Sequence, residues 1–128
     1  MTAFSDYLEN KLIDGTLRNT AYTPAATVYI GLHTTATNDD NSGTEVSGGS
    51  YARTSATFSA PSGGSTSNSA LVTFPTATAS WGTVTHFGIY DLSAAGNLLY
   101  WGALTVSKTV DNGDIFTIPA SNLTVTLQ

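Results

Sequence analysis

The residues able to do chemistry in this chain are few. There are two histidines, His33 and His86, and no cysteine. A zinc centre takes three or four His, Cys or carboxylate ligands, so these two do not make one. Both fall on the side of their segments opposite the apolar residues, which places them on a surface or an interface. Asp39, Asp40, Asn41 and Glu45 could offer oxygens to calcium. The spacing departs from the EF-hand loop, because Gly43 stands where an oxygen ligand is needed and Thr44 where the turn glycine is needed. Turn formation accounts for the same Asp and Asn content. Asp111 and Asp114 flank a turn and have no cleft to act in. Gly48-Gly49-Ser50-Tyr51-Ala52 begins like a nucleophile elbow but lacks the closing glycine. No catalytic residue, metal ligand or cofactor site is assigned, and no enzyme activity is expected.

The surroundings of these residues explain why. Charged residues make up 10% of the 128 residues, against roughly 25% in ordinary soluble domains. Ser and Thr take their place, so the surface is polar but weakly charged. The formal net charge is -5, with Lys11, Arg18, Arg53 and Lys108 scattered along the chain. Binding to a phosphate backbone needs clustered cations, and anionic membranes need the same. Neither nucleic acid nor a membrane is an expected partner. No stretch approaches the ~18 apolar residues of a membrane span, and Met1–Asn10 lacks the apolar run of a signal peptide. Synthesis in a cytoplasm, without a cleavable signal, is the expectation.

The elements alternate. Val28, Ile30 and Leu32 share one side of an extended segment, and Tyr29, Gly31 and His33 share the other. Phe87 and Ile89 alternate with His86, Gly88 and Tyr90, and Leu123, Val125 and Leu127 with Thr124 and Thr126. A period of two marks strands with one buried face. Strands are expected over 27–34, 51–58, 70–74, 84–90, 98–104, 106–110, 115–118 and 123–127. Ala94–Asn97 and Asp111-Asn112-Gly113 are the hairpin turns, the second joining 106–110 to 115–118. Residues 61–68 read as a flexible loop. The expected fold is an all-β antiparallel sandwich, jelly-roll-like or Ig-like, with a closed barrel as the alternative.

Residues 1–20 form the one helical stretch, and residues 21–128 the single β-domain. Phe4, Tyr7, Leu8 and Leu12 make an apolar stripe, with Ser5 as N-cap and Gly15 as the stop. Ile13 and Leu17 lie off that stripe. The segment either caps one end of the sandwich or reaches a neighbouring subunit as an arm. Trp81, Tyr90, Tyr100 and Trp101 cluster around one pair of strands and either pack the core or present a stacking surface. Phe4, Leu8, Leu12, Glu45, Arg53, Trp81 and Trp101 are the interface candidates.

Several stretches resemble a family of small tailed-bacteriophage virion proteins. They are Phe4–Asp14 leading into Val28–Thr35, Glu45 followed by Tyr51-Ala52-Arg53, Phe74-Pro75 and Ala77 through Trp81–Asp91, Gly96–Leu104, and Asn112-Gly113-Asp114. The resemblance implies a virion structural protein and carries over no active site. It is similar to capsid decoration proteins, which would bind the major capsid protein and self-associate, with a homotrimer favoured. Decoration of the capsid is the first expectation, and a tail or tail-fibre component, which the resemblance also implies, is the alternative. A free carbohydrate-binding module is the third reading.

Overall fold

The computed structural model describes residues 2–127. Met1, the start of the expected helical stretch, and Gln128, the end of the expected β-domain, lie outside the described residues. In chain order the elements are β1 (Thr2–Phe4), α1 (Asp6–Leu17), β2 (Val28–His33), β3 (Thr54–Ala56), β4 (Ser65–Ser67), β5 (Val72–Thr73), β6 (Gly82–Tyr90), β7 (Leu98–Val110), β8 (Thr117–Ile118) and β9 (Thr124–Thr126). The architecture is all-β and antiparallel with one short helix, as the alternation requires. The main sheet is open and runs β1-β7-β6-β2-β3, while β4 pairs with β9 and β5 with β8.

The main core lies between the five-stranded sheet and the two short ladders. Ile30 stands opposite Ile89 and Leu32 opposite Phe87, so β2 and β6 give one continuous apolar face. Val72, Phe74, Phe116, Ile118, Leu123 and Val125 of the short ladders and their flanks join the same cluster. Phe74 and Phe116 meet edge to face at 5.6 Å. Trp81, 4% exposed, closes one end of this core. Its indole N–H donates to the Gly49 carbonyl at 2.8 Å, which satisfies the one polar atom the ring would otherwise bury.

Local chemistry sets α1. The Ser5 hydroxyl accepts the Leu8 N–H at 3.2 Å, an N-cap bond. Asp6 and Glu9 sit in the first turn, at the positive end of the helix dipole. The helix does not stop at Gly15 as expected. It continues to Leu17 and ends where Asn19 turns left-handed, at φ 52°, a conformation Asn tolerates well.

Four other expectations are corrected. Residues 61–68, read as a flexible loop, hold β4 and a fully buried Asn68. The Asn68 side chain donates to the Ala70 and Pro119 carbonyls and accepts the Leu123 N–H. Such a clip leaves no trace in local composition. The expected strands 98–104 and 106–110 are one strand, β7. Alternation breaks near Thr105 because the four residues Leu104–Ser107 stand opposite Thr85 alone, a bulge larger than the usual two against one. The Asp111-Asn112-Gly113 turn does not make a hairpin with β7, since β8 crosses to pair with β5. Expected strand 51–58 shortens to Thr54–Ala56, because Tyr51 and Arg53 are drawn into a polar cluster described below.

Asn68 supplies the test of this packing. Asn68→Ala leaves one buried donor and two acceptors without their partner and is expected to cost about 3 kcal/mol. Chemical denaturation checks this, and a loss below about 0.5 kcal/mol, the size of an ordinary surface effect, would show that the clip does not hold the two segments.

Candidate functional site

The second face of the main sheet should be wet by alternation, yet its centre is dry. Gly31 of β2 faces Gly88 of β6, and His33 faces His86. A Cβ on Gly31 would lie 3.0 Å from Tyr90 Cε2, and one on Gly88 would lie 2.8 Å from the same atom. The two glycines are thus a floor for the Tyr90 ring. The Arg53 guanidinium lies on that ring, 3.5 Å from its centroid. Tyr90 and His33 are each 1% exposed, with near-parallel rings 6.0 Å apart.

Most polar atoms around this stack are committed to a neighbour, while His33 Nδ1 is buried without a side-chain or backbone partner. Glu45 grips Arg53 in a fork, Nε to Oε2 and Nη2 to Oε1, both at 2.8 Å. Such bidentate pairing is the strong form of the Arg–carboxylate bond. Arg53 Nη1 donates to the Leu92 and Ala95 carbonyls at 3.1 and 2.7 Å, so the same guanidinium pins the turn between β6 and β7. The Tyr51 hydroxyl donates to Glu45 Oε2 at 2.7 Å and accepts the Leu32 N–H at 2.9 Å. That bond caps the β2 edge where β3 has ended. The Tyr90 hydroxyl donates to Asn41 Oδ1 at 2.8 Å and shares a hydrogen bond with His33 Nε2 at 3.0 Å.

The electrostatics follow from burial and pairing. Burial pushes the Glu45 pKa upward, but hydrogen bonds from Arg53 and Tyr51 outweigh it and hold the carboxyl below its ordinary value. Burial lowers the His33 pKa to about 4, against the pull of Glu45 and with help from Arg53 and His86. Burial also raises the Tyr51 and Tyr90 hydroxyls, Tyr90 to about 12. The cluster therefore holds one ion pair and neutral His and Tyr side chains at neutral pH. Glu45 has both oxygens engaged and His33 is sealed from water, so the arrangement fixes loops and offers no free acid or base.

The acidic loop is built by turn bonds. The Ser42 N–H donates to Asp40 Oδ1 at 3.1 Å, and Asp39 Oδ1 accepts the Trp101 indole N–H at 2.7 Å. Among the described residues no group of three or more His, Cys, Asp or Glu side chains comes together to hold a metal ion.

The interface candidates fall in separate places. Glu45 and Arg53 come together in the cluster. Trp81 is in the core. Trp101 is half-buried on the second face, with its ring centroid 6.2 Å from that of His86. Phe4 meets Tyr100 edge to face at 5.4 Å, Leu8 is buried and Leu12 partly so. His33, expected at a surface, is inside, because the loop from Thr34 to Arg53 folds over it. Sequence reasoning placed Tyr90 among clustered aromatics and Asn41 in the acidic loop, but missed that they meet, and missed the roles of Tyr51 and the paired glycines. The available signal was Gly31 and Gly88, each two residues from a His or Tyr on a face meant to be polar.

Comparison with known proteins adds one relationship. The family described as podophage GP4 fiber I protein gp80 matches residues 3–126. None of the curated proteins matches significantly.

Two predictions follow from the cluster. Arg53→Met strands the Glu45 carboxylate and is expected to cost about 3 kcal/mol, while adding Glu45→Leu recovers part of the loss. Denaturant midpoints of both variants check this, and a double variant worse than the single one would contradict it. The second concerns pH. The unfolded chain takes a proton on His33 near pH 6.5 and the folded chain only at about 4. Stability is therefore full above pH 6.5 and is lost as pH falls toward 4, by something on the order of 3 kcal/mol. Glu45 removes more below the ordinary carboxylate pKa. His33→Gln should flatten the pH 6.5 to 4 segment of the stability curve, and an unchanged slope there would show that His33 is not its source.

Proposed function

Because the chain belongs to the podophage GP4 fiber I protein gp80 family, a family of phage virion structural proteins, we propose that it is a component of the tail fibre, acting by contact and without catalysis. The observation that carries this reading is the extent of the family match, which takes in nearly every element from β1 to β9. The first expectation, a capsid decoration protein on the major capsid lattice, has no comparable support, and the fibre description favours the alternative.

The physical character of the domain suits the reading. A fibre part transmits load and must keep its surface loops in one shape. The Arg53 fork joins the loop carrying Glu45 to the β6–β7 turn, and the Tyr51 hydroxyl ties both to the sheet edge. A surface of Ser and Thr with few charges stays hydrated and avoids strong mutual repulsion between copies packed side by side. Among the described residues one further ion pair, Arg18–Asp14, lies on α1 and is largely exposed. Contacts with neighbours would then rest on shape and apolar area, and would change little with salt.

Locating the protein on the intact virion tests this. Gold-labelled antibody or a cryo-electron microscopy difference map is expected to place it on the tail. Quantitative mass spectrometry is expected to give a copy number like that of other tail proteins. Label over the head, with a copy number near that of the major capsid protein, would overturn the reading in favour of decoration.

A further inference from the structure

The N-terminal element is joined to the rest of the chain by its least anchored stretch. β1 and α1 form one continuous unit, with Ser5 between them. β1 pairs with β7 through Thr2↔Gly102, Ala3↔Trp101 and Phe4↔Tyr100. Ser5 donates its N–H to the Leu99 carbonyl and its hydroxyl to the Leu98 carbonyl. The Asp6 N–H donates to the Asp39 carbonyl at 3.0 Å. The Thr2 hydroxyl accepts the Thr126 N–H of β9 at 3.2 Å, so the bonds of this unit go to Leu98–Gly102, Asp39 and Thr126, and none goes to β2, the next element in sequence.

Between α1 and β2, residues 18–27 run along the surface, and Tyr22 is the one residue there that is half-buried. Among the described residues, 21–27 make no backbone hydrogen bond. Pro24 lacks an N–H and biases Thr23 toward an extended conformation. The exposed side of α1 carries Ile13 and Leu17, four residues apart, 52% and 79% exposed.

We propose that residues 2–17 are exchanged between copies of this chain, β1 and α1 of one copy docking on Leu98–Gly102 of another, with residues 18–27 as the hinge. A second copy is the partner because only it offers the same docking site, and every bond above is remade identically across chains. Exchange therefore costs little beyond the entropy of association, the usual basis of domain swapping. Ten hinge residues span up to ~33 Å when extended, about the width of a small domain, which is enough to reach a neighbour. High effective concentration between adjacent copies favours the exchanged form. The inference concerns the isolated chain and stands apart from the tail-fibre reading.

Disulfide trapping tests it without background, since the chain has no cysteine. Opposed residues on antiparallel strands hold their Cβ atoms about 4.5–5.5 Å apart, close enough for a disulfide to form with little adjustment. Ala3→Cys is introduced in one full-length chain and Trp101→Cys in a second chain bearing a different tag. The two are refolded together at high concentration and oxidised. Exchange gives a two-chain band carrying both tags that is lost on reduction. The double variant Ala3→Cys/Trp101→Cys in one chain shows that the bond can form, and if it closes only within single chains the proposal fails. Phe4→Cys with Tyr100→Cys repeats the test should Trp101→Cys prevent folding. Deleting residues 24–26 should raise the two-chain fraction, because a short hinge strains the closed form. No two-tag band from either pair would overturn the proposal.

Discussion

The fork between Arg53 and Glu45 is the contact on which the second face of this protein depends. Without it, Tyr90 and His33 would lie in a trough open to water. With it, a guanidinium covers the tyrosine ring, its remaining N–H groups hold the β6–β7 turn, and the carboxylate draws in Tyr51. One planar cation thereby joins the segment around Glu45 and Tyr51 to a turn 39 to 42 positions further along the chain. Lysine in its place would supply the charge but not the flat surface or the fork.

The fork is possible because the sheet beneath it is thin. Gly31 and Gly88 stand opposite each other and leave a space that any side chain would close. Glycine normally weakens a strand. Here the loss is offset by what the space admits, a fully buried tyrosine and the cation above it. The sheet is consequently buried on both faces at its centre, by apolar residues on one side and by a largely paired polar cluster on the other. Polar networks of this kind hold a unique arrangement only when their members are paired, and the Glu45–Arg53–Tyr51 set meets that condition.

The two faces divide the work. The apolar core under β2 and β6 supplies most of the driving force for folding. The polar cluster fixes where the loops go. For a virion structural protein the second matters as much as the first, because a partner meets loops and edges and never the core. Trp101, held by Asp39, and Phe4, packed on Tyr100, lie around the same end of the sheet as the N-terminal unit. That end combines a short edge strand, a helix with apolar residues on both sides, and a loosely anchored connection.

Much of the fold could be read from the sequence, and little of the site. Period-two alternation marked β2, β6 and β9, and Ser5 marked the start of α1. Those features are local: a few neighbouring residues set them through backbone sterics, capping and patterning. What only the tertiary structure decided is which polar residues are inside. His33, Tyr90 and Asn68 look like surface residues to any rule that reads a short window. Their burial depends on hydrogen-bond partners 49 and 57 positions away for Tyr90 and His33, and up to 55 for Asn68. A buried polar group is tolerated only where those distant partners complete its hydrogen bonds, and that completion exists only once the chain has folded.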